Sequence, residues 1–122
     1  MAVISPVIVD EGDRTKIVTW TMATADTANP IGINGAFADF ADRSVTVTGT
    51  FGGGTITMQG SNDGTNFFDL TDGSNNALSF AAARLEQIYE ATRHQKPTLT
   101  GGAGVALAVT MFMRKSVTGK MV

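Results

Sequence analysis

Residues 43–70 read RSVTVTGTFGGGTITMQGSNDGTNFFDL, and this segment is the most informative about the fold. In its first part Val45 and Val47 lie two positions apart, and Thr46 and Thr48 alternate with them. Successive side chains of a β-strand point to opposite faces of the sheet. The alternation therefore predicts a strand with one apolar face and one face covered by threonine.

Glycine turns divide the same segment into three predicted strands. The glycines at 52–54 separate the first strand from a second alternating run at 55–59, TITMQ. The Asp-Gly pair at 63–64 is a hairpin signal, and a further strand-like run follows it at 66–70. We therefore expect a meander of three neighbouring antiparallel strands joined by two tight turns.

Strand signals recur along the rest of the chain. In residues 15–22 the side chains of Val18, Trp20 and Met22 share one face, and the apolar run at 105–113 is typical of a buried strand. Turn signals separate such runs at roughly 8–12-residue spacing, which is typical of an antiparallel sandwich or barrel. The sequence thus predicts an all-β fold, an antiparallel β-sandwich of jelly-roll-like type.

Residues 82–90 leave two alternatives open. Leu85, Ile88 and Tyr89 stand at helical spacing and predict a short helix, whereas a further strand fits the same residues equally well. The glycine run at 101–104 is interpreted as a hairpin turn, like the earlier one.

The length of 122 residues suits one domain. We divide the chain into an N-terminal extended arm or edge strand at residues 1–14, a β-sandwich domain at 15–115 and a C-terminal tail at 116–122. The boundaries follow the first clear alternating strand and the end of the last one.

Charge and composition argue against several classes of partner. Nine lysines and arginines stand against eleven aspartates and glutamates, and the basic residues are scattered, so nucleic acid is not an expected partner. The longest apolar run has nine residues, short of the ~20 that cross a bilayer as a helix, and no membrane partner is expected. The lack of cysteine excludes disulfides and cysteine-based metal sites.

The residues that could carry catalysis form no recognisable constellation. The single histidine, His94, has no metal-ligand spacing around it, and we interpret it as a surface residue. Glu86 and Glu90 are interpreted as solvated carboxylates, and the loop at Asp63 as ordinary turn chemistry rather than a calcium site. We expect no enzyme activity, and no catalytic, cofactor-binding or metal-binding residues.

Several stretches resemble the small virion proteins of tailed bacteriophages. They are residues 41–51 (ADRSVTVTGTF), 52–66 (GGGTITMQGSNDGTN), 70–72 (LTD), 76–80 (NALSF), 18–20 (VTW) and 97–102 (PTLTGG). The likeness covers most of the chain from about residue 15 to 114. This chain departs from the pattern at Phe67 or Phe68, where tryptophan is usual, and at 94–96, where a Tyr-Ile-Arg type of stretch is usual.

The resemblance implies a β-sandwich on the capsid surface of a virion, made in the host cytoplasm and acting as a capsid decoration (cement) protein. Implied partners are the major capsid protein and further copies of the chain, with a trimer favoured. A tail or head-fibre component is the nearest alternative. A carbohydrate-binding module is the alternative of another class, but it needs a planar row of exposed Trp or Tyr side chains, and only Trp20 and Tyr89 are available.

The N-terminal segment supplies the candidate partner-binding residues. It is apolar, extended and interrupted by Pro6, so we expect it either as an edge strand of its own sandwich or in a groove of a partner subunit. The residues that would make the contact are Ala2, Val3, Ile4, Val7 and Ile8.

Overall fold

The computed structural model describes residues 2–10, 14–32, 40, 42–90 and 92–115. The strands in these residues are β1 (Val3–Ile4), β2 (Val7–Asp10), β3 (Thr15–Ala23), β4 (Thr27–Ala28), β5 (Asp42–Thr50), β6 (Thr55–Ser61), β7 (Phe68–Asp69), β8 (Ser79–Phe80), β9 (Arg84–Ile88), β10 (His94–Thr100) and β11 (Ala106–Arg114). In the described part of the chain no helix is long and apolar enough to span a membrane.

Two antiparallel sheets face each other across the core, which confirms the all-β prediction. The larger sheet has the order β2-β3-β11-β5-β9, and the smaller has the order β10-β6-β7, with β8 also pairing to β6. The short strands β1 and β4 form a separate parallel pair. The chain is a β-sandwich, and every pairing within the two larger sheets is antiparallel.

The helix allowed for residues 82–90 does not form. Residues 84–88 are β9, which pairs with β5 at the edge of the larger sheet. Leu85 and Ile88 consequently lie on opposite faces, with Leu85 exposed and Ile88 buried. Pairing with β5 satisfies the backbone of this segment and overrides a helical preference that is only a weak local bias.

The predicted three-strand meander is half wrong. The turn at Asp63-Gly64 does join a hairpin, because β6 pairs with β7. The glycines at 52–54 do not, because β5 belongs to the larger sheet and β6 to the smaller one. The run at 101–104 also joins the two sheets, between β10 and β11. Both runs are corners at which the chain crosses from one layer to the other.

The two corners lie against each other. The Ala103 backbone N–H donates to the Gly52 carbonyl at 2.9 Å. Gly52 has a positive φ of 58°, and a Cβ added there would lie 2.1 Å from the Ala103 carbonyl oxygen. Because no side chain fits in that gap, the close contact requires glycine.

The core fills the space between the sheets. Val18, Trp20 and Met22 are buried there as predicted, and the Trp20 Nε1–H donates to the Asn29 carbonyl at 2.8 Å. The other large, fully buried side chains are Phe80, Ile56, Met58, Leu78, Leu107, Met111, Met113, Gln95 and Val45.

Arg43 is buried beside the core. Its Nε–H donates to the Phe40 carbonyl at 2.7 Å and its Nη1–H to the Thr92 carbonyl at 3.1 Å. Burial lowers the pKa of the Arg43 guanidinium to about 10. The side chain thereby joins segments that are far apart in the sequence.

Candidate docking surface

The first described residues are hydrogen-bonded to the loop and strand that follow β3 in the same domain. The Ala2 backbone N–H donates to Asp26 Oδ1 at 2.9 Å, and the Ala2 carbonyl accepts from the Thr27 N–H at 2.9 Å. Ile4 packs against the core, whereas Val3 is exposed. Of these predicted partner-binding residues, Ala2 and Val3 are exposed and Ile4 is half-buried.

Val7 and Ile8 lie in β2, the first strand of the larger sheet. Their register with β3 pairs Val7 with Thr19 and Ile8 with Val18. In the structure Val7 and Ile8 therefore belong to an edge strand of their own sandwich, which was one of the two alternatives for this segment. The C-terminal tail predicted at 116–122 lies outside the described residues.

The edge formed by β2 is apolar. Val7, Ile8 and Val9 are exposed to 65%, 44% and 47%, and no strand of the described residues pairs with the outer side of β2. An edge strand leaves backbone N–H and C=O groups free on that side, which makes it a template for a further strand. Val9 belongs to this surface although the sequence interpretation did not include it. Its place in the same β-branched run was the available signal.

The opposite edge of the same sheet carries charge. In β9 the Arg84 Nε lies 2.7 Å from Glu86 Oε2, and the Arg84 guanidinium lies 4.8 Å from the centre of the Phe80 ring. Charged side chains on an edge strand disfavour pairing with another chain. The two edges thus differ, and the β2 edge is the one open to strand addition.

The outer face of the smaller sheet has its own hydrogen-bond network. Thr98 Oγ1 donates to Gln59 Oε1 at 3.0 Å, and Gln59 Nε2 donates to Asp69 Oδ1 at 2.9 Å. The Lys96 ammonium lies 4.4 Å from the centre of the Phe67 ring. These polar groups already have partners within the chain, so this face is a weaker candidate for docking than the β2 edge.

His94 is not the surface residue that the sequence suggested. It is only 9% exposed, it lies beside the backbone of Gly64, and its Nδ1 is buried with no hydrogen-bond partner among the described residues. Its neighbour Gln95 is fully buried, and Gln95 Nε2 donates to the Glu90 carbonyl and to Thr92 Oγ1. Gln95 points to the inner face of β10, whereas His94 points to the opposite face and is covered by the loop at Gly64, and local charge could reveal neither.

The two carboxylates considered in the sequence, Glu86 and Glu90, bind neighbouring groups of an edge strand and a loop. Glu86 pairs with Arg84, whereas both oxygens of Glu90 accept from Thr71, through its backbone N–H and its hydroxyl. Burial raises the pKa of the Glu90 carboxyl, but the hydrogen bonds from the Thr71 hydroxyl and N–H outweigh it, so that pKa lies below its usual value.

Asp63 has the same kind of role. The backbone N–H groups of Asn66 and Thr65 donate to its Oδ1 at 2.8 Å and hold its pKa well below the usual range. In the described ranges no three His, Asp or Glu side chains come together as a metal site would require.

An open hollow is built from these loops. It measures about 620 Å³ and lies among residues 60–63, 66, 68–70, 90 and 92. Asp63 and Glu90 line it, but their oxygens are engaged as described above. The Ser61 hydroxyl in this lining donates to Asp63 Oδ1 at 2.8 Å and accepts from the Gly64 backbone N–H at 2.9 Å, so it belongs to the same turn.

Trp20 and Tyr89, the two residues that a sugar-binding row would have to use, are not exposed together on the surface. Trp20 is fully buried, while Tyr89 and Phe68 are exposed on different segments. The single tryptophan is therefore unable to stack on a ligand. Searches with the whole chain found no matching family model, no matching curated protein and no matching solved structure.

Proposed function

We propose that this protein is a capsid decoration protein of a tailed bacteriophage, which binds the outer surface of the capsid and bridges neighbouring subunits. The observation that carries the proposal is the exposed, apolar edge of β2, whose outer side is paired with no strand of the described residues. The sequence resemblance of residues 41–66 to phage virion proteins supports the same role.

The docking mode is addition of a partner strand to the β2 edge. Main-chain hydrogen bonds supply affinity in that mode, and alternate side chains supply specificity. Complete burial of the exposed parts of Val7, Ile8 and Val9 contributes roughly 3 kcal/mol, taking about 2 kcal/mol for a whole side chain.

One such edge makes a weak complex, because association itself costs several kcal/mol. A capsid presents many equivalent sites, so repeated contacts convert weak edges into stable attachment. A decoration protein is therefore a suitable use for this edge, whereas a freely circulating monomer leaves it exposed to unspecific pairing.

The test uses phage particles that lack the protein, to which purified protein is added back. Bound copies are measured after sedimentation, together with the temperature at which the particles release their DNA. We expect wild-type protein to bind heads and raise that temperature. Binding to tails alone identifies a tail component, and binding to neither rejects a virion role.

A matched pair of variants tests the docking mode. Val9 and Phe68 are both exposed, to 47% and 71%, but Val9 lies on the β2 edge and Phe68 on β7 of the smaller sheet. Val9→Lys should weaken binding to heads about tenfold, since a buried charge on the edge opposes pairing, while Phe68→Lys should bind normally. Equal binding by both variants excludes the β2 edge as the contact but leaves the decoration role in place.

A further inference from the structure

The outer face of the larger sheet changes from large to small side chains along its central strand. On β11 the outward residues run in the order Arg114, Phe112, Thr110, Ala108 and Ala106. The pairings with β3 and β5 extend each of them into a row across the sheet. We call these rows the sheet face. Its uncharged central part consists of Ile17, Thr19, Thr21, Ser44, Thr46, Thr48, Ala108, Thr110 and Phe112.

The end of the sheet face with small side chains contains a hollow of about 350 Å³. Ala106, Ala108 and Gly49 line it together with Thr21 and Thr48. At the other end Phe112 projects from the sheet and is 40% exposed. One surface thus carries a protruding aromatic ring and an apolar depression that can receive one.

The spacing of these two features is self-complementary. Phe112 and Ala108 lie two residues on either side of Thr110, on the same face of β11. A two-fold axis that crosses the strand at Thr110, in the plane between two copies, places each Phe112 over the other copy's Ala108. Both hollows are then filled at once, as an isologous contact requires. In this arrangement the larger sheets of the two copies pack face to face, about 10 Å apart and with nearly aligned strands.

The charges near the ends of the sheet face agree with this register. Arg114 and Ala106 lie four residues on either side of Thr110, so Arg114 of one copy faces Ala106 of the other. Ala106 lines the hollow together with Asp26, which is the charged residue there. Arg114 is paired with Asp42 of its own chain and Asp26 accepts from two backbone N–H groups, so the register brings together charges that are already balanced. The central rows bring no like charges together.

The area of the face is sufficient for a specific but modest contact. Three strands of nine residues and two shorter edge strands cover about 600 Å² per copy, at ~3.3 Å per residue and ~4.8 Å between strands. Two copies bury about 1,200 Å², at the lower limit of specific protein interfaces.

We propose that the sheet face binds a second copy of this chain, so that two sandwiches associate through their larger sheets around a two-fold axis at Thr110. Because that axis runs across the strands, both β2 edges lie on the same side of the pair. The pair would then dock with two edges instead of one. The pairing itself does not depend on the proposed capsid role, and a two-fold pair differs from the trimer expected from the sequence.

Sedimentation velocity of the purified chain tests the pairing. From about 1 µM to about 500 µM we expect a reversible monomer–dimer equilibrium with a Kd in the micromolar range. A monomer throughout this range, or a trimer, would overturn the proposal.

Variants at the axis show whether the sheet face is the contact. Thr110→Lys brings two positive charges together at the axis and should raise the Kd at least about tenfold. Thr55→Lys is the control, since Thr55 is a half-buried threonine on the outer face of the smaller sheet. A dimer that Thr110→Lys leaves intact would refute the sheet face as the interface.

A second readout covers the case in which Thr110→Lys does not fold. The chain has no cysteine, so a short thiol-reactive cross-linker reports only on introduced ones. Thr110→Cys should give a covalent dimer, and Thr55→Cys should not. Equal cross-linking of the two variants would also exclude the sheet face.

Discussion

Replacing Gly52 by alanine tests whether the close contact between the two glycine corners holds the sheets together. A Cβ at Gly52 would lie 2.1 Å from the Ala103 carbonyl oxygen, so the corners have to separate by about 1 Å to reach ordinary contact. That movement breaks the hydrogen bond from the Ala103 N–H to the Gly52 carbonyl. Gly53 provides the matched control, because it also has a positive φ but nothing within 4 Å of an added Cβ.

The expected losses of unfolding free energy distinguish backbone strain, which both variants have, from the steric clash, which only Gly52→Ala has. A left-handed backbone costs alanine about 1–2 kcal/mol, and this is the whole effect expected for Gly53→Ala. Gly52→Ala adds about 1 kcal/mol for the lost hydrogen bond and about 1–3 kcal/mol for overpacking. The total for Gly52→Ala is roughly 3–6 kcal/mol.

Thermal and urea unfolding followed by circular dichroism measure both variants. At about 4 °C per kcal/mol for a domain of this size, Gly53→Ala should lower the Tm by roughly 4–8 °C and Gly52→Ala by roughly 12–24 °C. If the unfolding free energies of the two variants differ by less than about 1 kcal/mol, the packed corner is not a main source of stability.

Three further changes probe the core and one loop. Arg43→Ala should reduce the unfolding free energy by about 3 kcal/mol, since it removes two buried hydrogen bonds to carbonyls; an unchanged urea midpoint would contradict this. Trp20→Phe should cost about 2 kcal/mol in the same assay, because the Asn29 carbonyl loses its donor and a small cavity forms. The pKa of Asp63 is lower in the folded chain, so its stabilisation is present above the unfolded pKa of about 4 and is lost as the pH falls below it. Asp63→Asn should therefore give a shallower loss of stability between about pH 4 and pH 2, and equal slopes for variant and wild type would refute the role of the Asn66 hydrogen bond.

Local alternation was sufficient to predict which residues enter the core. Val18, Trp20 and Met22 share the inner face of β3, and Val45 and Val47 share that of β5. The reason is that the two-residue period of a strand is a property of its own backbone and needs no knowledge of its neighbours. The edge-strand alternative for Val7 and Ile8 was available from the sequence because Pro6 lacks the amide donor that an inner strand needs.

Apart from the β6–β7 hairpin, which the Asp63-Gly64 pair predicted, the pairing of strands was decided by the tertiary structure. The glycine runs at 52–54 and 101–104 look like hairpin turns, because positive φ values serve a hairpin and a corner between sheets equally well. Only the mutual contact of the two runs, far apart in the sequence, makes them corners. Residues 84–88 became a strand, and not a helix, through pairing with β5.

The sequence by itself determined the strand-forming segments, their inward faces and the absence of cysteine chemistry. The three-dimensional arrangement decided the division into two layers, the burial of His94 and Gln95, and the contrast between a charged edge at β9 and an apolar edge at β2. Strand periodicity is fixed by neighbouring residues, whereas an edge exists only after all the other strands have found their partners.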